Sequence, residues 1–216
     1  MKFKEATGIE VDYQGVGSGS GITHVKSKDV DFGASDAPLT KEEYGEINGN
    51  GEIFHLPETV GGVVIIYNIP NLDGKLNLNA TVIAKIYKGD IENWNDQQIL
   101  DLNSHLDPQI QKKIEVVHRG GSSGTSFVFT SYLHKVAGNV WKDEGSKTPD
   151  WPTGTGAEGN QGVASSVATI DYSIGYVELS YADSDEFDTA RIWNDADEGK
   201  DGFMEVILKP ICEASI

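Results

Sequence analysis

Three short segments carry the residue types that could hold a small oxyanion. The first is Arg119-Gly-Gly-Ser-Ser-Gly-Thr125. An apolar run delivers an arginine, glycines and hydroxyls follow, and a helical pattern begins. Amides at a helix start have no intrahelical acceptor and attract anions. Arg119 adds a planar fork that matches two oxygens of a tetrahedral ion. Ser123 and Thr125 add hydroxyl donors, and Gly124 lets the backbone come close. An ordinary capped helix after a glycine turn is the competing reading of this loop taken alone.

The second segment, Gly15-Val-Gly-Ser-Gly-Ser-Gly21, holds Ser18 in a similar but weaker setting. No Gly-Lys-Ser/Thr follows it, so it is not a P-loop. The third is Ala34-Ser35-Asp36-Ala37-Pro38. A carboxylate beside an anion site is repulsive unless the anion carries a proton. Hydrogen phosphate has such a proton, and an ionised Asp36 can only accept. Sulfate has none at neutral pH, so Asp36 would select phosphate by penalising the competitor. The alternative is that Asp36 only starts the Asp-Ala-Pro turn.

Gly120-Gly-Ser122-Ser-Gly124 also fits the G-x-S-x-G nucleophile pattern. A hydrolase of that kind needs a later His. The one that follows, His134, lies along the helix that Ser122 precedes and cannot reach back. The five His show no metal-ligand spacing. Asp195, Asp197, Glu198 and Asp201 lack the full calcium-loop pattern and read as a solvated turn. No enzyme activity, cofactor or metal is expected.

The elements that must position these loops alternate short apolar runs with helical stretches, the mark of an α/β protein. Strands are expected at Ile9–Tyr13, Val30–Gly33, Val60–Tyr67, Ile114–His118, Ile174–Glu178 and Phe203–Leu208. Helices are expected at Thr23–Ser27, at Glu42–Tyr44 with Thr40 and Glu43 as a capping box, at Thr81–Lys88 stopped by Gly89, at Gln97–Leu102 capped by Asn95 or Asp96, at Ser126–Val136 and at Gly162–Ala168. Lys142–Gln161 reads as loop. The three small-residue loops would then lie at strand ends, where open α/β sheets bind ligands.

The chain has 216 residues and a formal net charge of -17. That acidity argues against nucleic acid, which needs a basic footprint. It also disfavours long-range capture of an anion, so an anion site must be local. No apolar stretch reaches the roughly 18 residues of a membrane span. Met1–Glu10 has no signal-peptide core, and the single Cys212 leaves the redox compartment open.

Further segments occur in order: Tyr13-Gln-Gly-Val-Gly-Ser18, Asp31-Phe-Gly-Ala-Ser-Asp-Ala-Pro-Leu39, Gly61-Gly-Val-Val-Ile-Ile-Tyr-Asn-Ile-Pro70, Ile86 through Asp96, Ser123 through Leu133, Gly159-Asn-Gln-Gly-Val163 and Ile174-Gly-Tyr-Val-Glu178. Together they resemble the phosphate-binding proteins of high-affinity phosphate ABC importers, from about Thr7 to Ala182. The resemblance implies a two-lobe α/β fold of the periplasmic-binding-protein type (type II). It implies residues 1–67 as a partial first lobe, 68–202 as the second, and 203–216 as a return strand or tail. Closure is expected about Tyr67–Pro70. Ser18 and Asp36 would come from one lobe, and Arg119, Ser123, Gly124 and Thr125 from the other. Inorganic phosphate, a membrane permease and a periplasmic or cell-surface location follow by the same route.

Departures from the family are expected as well. Its opening strand and first phosphate loop would precede Met1, Gly121 replaces an acidic residue, and the long C-terminal return is shortened. They leave an alternative: a truncated or divergent member with weak or no phosphate binding, acting as a surface or interaction protein.

Overall fold

The computed structural model describes residues 2–48, 53–183, 185–193 and 203–204. Three helices come first: α1 (Lys2–Thr7), α2 (Ser18–Ser27) and α3 (Lys41–Asn48). Strands β1 (Val63–Asn68) and β2 (Asn77–Leu78) lead to helices α4 (Ala80–Lys88) and α5 (Gln97–Leu100). Then follow β3 (Glu115–Arg119), α6 (Gly124–Ala137), β4 (Thr155–Ala157), α7 (Gly159–Thr169) and β5 (Ser173–Glu178). A 3-10 turn (Leu179–Tyr181) and strands β6 (Asp188–Thr189), β7 (Arg191–Trp193) and β8 (Phe203–Met204) close the order.

The main sheet has the order β4-β3-β5-β1-β6. β3 runs parallel to β4 and β5, while β1 runs antiparallel to β5 and β6. The second sheet has the order β2-β7-β8. Every residue of Val63–Tyr67 is buried because β1 is covered on both faces. Val63, Ile65 and Tyr67 face the larger core with α4 and α6, while Val64 and Ile66 face α7. A strand covered on both faces reads as a continuous apolar run, and this one does.

The helix ends follow local chemistry. Asn79 caps α4 by accepting from Val82 N–H, and Gly89 ends it in the left-handed region at φ 78°. Asp96 caps α5 by accepting from Gln98 N–H. The capping box at α3 is present: Thr40 N–H donates to Glu43 Oε2 at 2.8 Å, and Glu43 N–H donates to Thr40 Oγ1 at 3.1 Å.

Several expectations need correction. Neither Ile9–Tyr13 nor Val30–Gly33 joins a β-ladder among the described residues. An extended segment is stabilised by ladder partners, and here Ile9, Val11, Tyr13, Val30 and Phe32 are exposed. Two of the three site loops therefore do not emerge from strands. The loop expected at 142–161 contains β4 and the start of α7. α2 begins at Ser18 and α6 at Gly124, so both helices reach further towards the candidate site than their apolar patterns predict. Tyr67, at the start of the segment where closure is expected, pairs with Ile174 and accepts from Leu76 N–H at 3.0 Å. Of the strand expected at Phe203–Leu208, Phe203 and Met204 form β8. Its remainder, Cys212 and the acidic cluster at 195–201 lie outside the described residues.

Candidate anion site

Arg119 ends β3, and α6 begins five residues later. Ser123 is fully buried and caps that helix, its Oγ accepting from Ser126 N–H at 3.2 Å. Phe127 N–H takes the Ser123 carbonyl. The Gly124 and Thr125 amides of the first turn thus have no intrahelical acceptor. α2 offers a second such end: its cap, Gly17, has no side chain to satisfy the first amides.

The two helix starts meet. A Cβ placed on Gly124 would lie 2.3 Å from Ser18 Oγ and 2.7 Å from Asp36 Oδ2, so only glycine permits this approach. A Cβ on Gly17 would lie 3.4 Å from the Ser122 carbonyl and 3.7 Å from Arg119 Nη2. Asp36 N–H donates to Ser18 Oγ at 3.2 Å, which ties the second and third loops together. Ser18, Asp36, Arg119, Ser123, Gly124 and Thr125, selected from separate segments, therefore lie around one place.

Arg119 is 8% exposed. Its Nη1 donates to Thr125 Oγ1 at 3.1 Å and to Asn160 Oδ1 at 3.2 Å. Its backbone N–H donates to Tyr176 Oη at 3.1 Å, and that hydroxyl shares a 2.6 Å bond with Ser126 Oγ. Nε is buried with no acceptor among the described residues. Burial lowers the proton affinity of the guanidinium, and the nearby Tyr176, Asp36 and Tyr181 act against that loss. Arginine stays charged through such shifts.

No ion pair joins Asp36 to Arg119 among the described residues, yet each feels the other's field. Desolvation raises the Asp36 carboxyl above its ordinary value, Arg119 opposes the rise and Glu178 adds to it. The residue as a whole is exposed, but Oδ2 sits against the Gly124 backbone, so the desolvation acts on the carboxyl itself. Burial pushes the Tyr176 hydroxyl up to about 12, so it remains neutral.

The loops are braced from outside. Lys147 accepts Ser123 N–H through its carbonyl at 2.8 Å, and its ammonium pairs with Glu43 of α3. Sequence reasoning missed Tyr176, Ser126 and Asn160. The first reads as a core residue of an apolar strand, Ser126 reads as a helix start, and Asn160 falls in a stretch that reads as loop. Only the position of Asn160 within the Gly159–Val163 motif pointed to it. His118, next to the arginine, places Nδ1 3.1 Å from the Arg119 carbonyl and stacks on Trp151 at 5.1 Å between centroids. The described residues contain no group of three or more His, Cys, Asp or Glu side chains suited to a metal.

Residues 1–206 match the family described as PBP superfamily domain. The chain is 41% identical over 197 residues to the phosphate-binding protein PstS of Haemophilus influenzae, covering 90% of this chain and 57% of that one. It is 44% identical over 184 residues to PstS of Xylella fastidiosa, covering 83% and 49%. The chain thus spans about half the length of these curated relatives. Among solved structures it is similar to a high-affinity periplasmic phosphate-binding protein, PfluDING, bound with phosphate, at TM-score 0.67 and 21% identity over 84% of this chain and 55% of that chain. The phosphate-binding protein of Stenotrophomonas maltophilia gives TM-score 0.59 and 21% identity over 82% and 56%.

Proposed function

The chain belongs to the PBP superfamily, and from that membership we propose that it binds inorganic phosphate where its glycine- and hydroxyl-rich loops meet. Arg119 is the charged clamp. Ser18, Ser123 and Thr125 donate hydroxyls, and the Gly124 and Thr125 amides donate from the first turn of α6. Asp36 accepts the proton of hydrogen phosphate. The observation that carries this reading is the buried Arg119, whose Nε has no acceptor among the described residues while Nη2 lies beside the bare Gly17 backbone. An unpaired buried donor is costly, and an oxyanion held there removes the cost.

The role is binding for delivery to the membrane permease of a phosphate ABC transporter, outside the cytoplasm, rather than catalysis. Two lobes hold the anion between them. We draw the lobe division at Gly61–Gly62 instead of after Tyr67, because β1 pairs with β5 along its whole length. A second reading, a weak binder acting as an interaction protein, is favoured by one observation: Tyr13, Phe32, Phe54, Leu56 and Val60 are all more than 60% exposed.

Calorimetric titration of phosphate into Arg119→Ala tests the leading reading. Loss of a charge-assisted fork is expected to weaken binding by about a hundredfold or more. Undiminished affinity in that variant removes the clamp from the account.

A further inference from the structure

We propose that Asn160 is the positioning residue of the anion clamp, fixing which edge of the Arg119 guanidinium meets the ligand without cancelling its charge; this rests on the phosphate reading above. Arg119 divides its donors between protein and site. Nη1 is occupied twice, by Thr125 Oγ1 at 3.1 Å and Asn160 Oδ1 at 3.2 Å. What remains is the edge formed by Nε and Nη2. Nε is buried with no acceptor among the described residues, and Nη2 lies 3.7 Å from where a Cβ on Gly17 would sit. That edge presents two parallel N–H bonds, the geometry that takes two oxygens of one tetrahedral ion.

Asn160 is itself held. Its Oδ1 also accepts Glu178 N–H at 3.2 Å, so the carbonyl bridges the clamp to the end of β5. Asn160 sits in the first turn of α7, just after Gly159 at φ +65°. The ends of β3 and β5 and the start of α7 thereby meet at a single amide oxygen. Both side-chain acceptors of Nη1 are neutral, and no carboxylate pairs with Arg119 among the described residues. An Asp at position 160 would offer the same acceptor at the same place, but would offset the positive charge the anion meets. The amide therefore supplies placement and leaves the charge available to the ligand.

The test uses the full chain, inorganic phosphate, and the variants Asn160→Asp and Asn160→Ala. Two readouts are taken: phosphate affinity by calorimetry, and the Arg119 Nε–H nuclear magnetic resonance signal without ligand. Asn160→Asp is expected to leave the Nε–H signal near its wild-type position while weakening phosphate binding about tenfold. Asn160→Ala is expected to shift or broaden that signal and to weaken binding as well. A merely structural role predicts that Asn160→Asp restores full affinity, and that result overturns the charge argument. An unchanged Nε–H signal in Asn160→Ala overturns the positioning argument. If the wild type takes up no phosphate, the functional reading above fails. The ligand-free signal then still decides whether Asn160 places the clamp.

Discussion

At the scale of single residues, Asp36 is the informative group. A carboxylate next to a buried arginine would ordinarily be held in its charged form, yet desolvation outweighs Arg119 here and raises its proton affinity. The native state therefore keeps this proton to higher pH than the unfolded chain does. Stability from this group is present below the unfolded value and is lost as pH rises through the raised folded one. Without phosphate, Asp36→Asn should melt higher than the wild type at pH 7, and the gap should close below about pH 4, where both forms are neutral. Thermal melts across that range check the sign. A wild type that gains on the variant as pH rises would show that Arg119 dominates instead. The cost fits the proposed role of Asp36 in reading a proton on the ligand, since strained or desolvated groups gather at functional sites.

At the scale of elements, helix starts do the placing. Ser123 caps α6 and, in the proposed site, also offers its hydroxyl to the ligand; these roles separate experimentally. Asn79 caps α4 away from the site by the same kind of bond. Each cap replaced by Ala should cost about 1 kcal/mol, or about 2–4 °C in a chain of this size. Only Ser123→Ala should also lower phosphate affinity; equal affinities in the two variants would confine Ser123 to its structural role. The same elements mark what the sequence could reveal. The apolar run of β1, the Thr40/Glu43 box and the Gly89 stop are local signals, and each element formed within a few residues of its expected bounds. Ile9–Tyr13 and Val30–Gly33 alternate as strands do, but alternation states only a preference, and a ladder needs a partner. Ser18, Asp36 and Arg119 stood out because loops of small residues around a charge are unusual. Asn160 did not, because it falls in a stretch that reads as loop, and its bond to Arg119 joins residues 41 apart.

At the scale of the molecule, global charge and local site chemistry are opposed. The whole chain carries a net charge of -17, and such a field repels an anion beyond contact range. Under the proposed function, binding comes from a few oriented donors close to the ligand: one buried guanidinium, two helix starts and three hydroxyls. Specificity then comes from Asp36, because those donors alone would suit sulfate as well as phosphate. Titration of the wild-type chain with phosphate and with sulfate, followed by heat at pH 7, tests this most directly. The account predicts saturable binding of phosphate and none of sulfate at the same concentrations. Equal binding of the two ions, or no heat from phosphate, would contradict it.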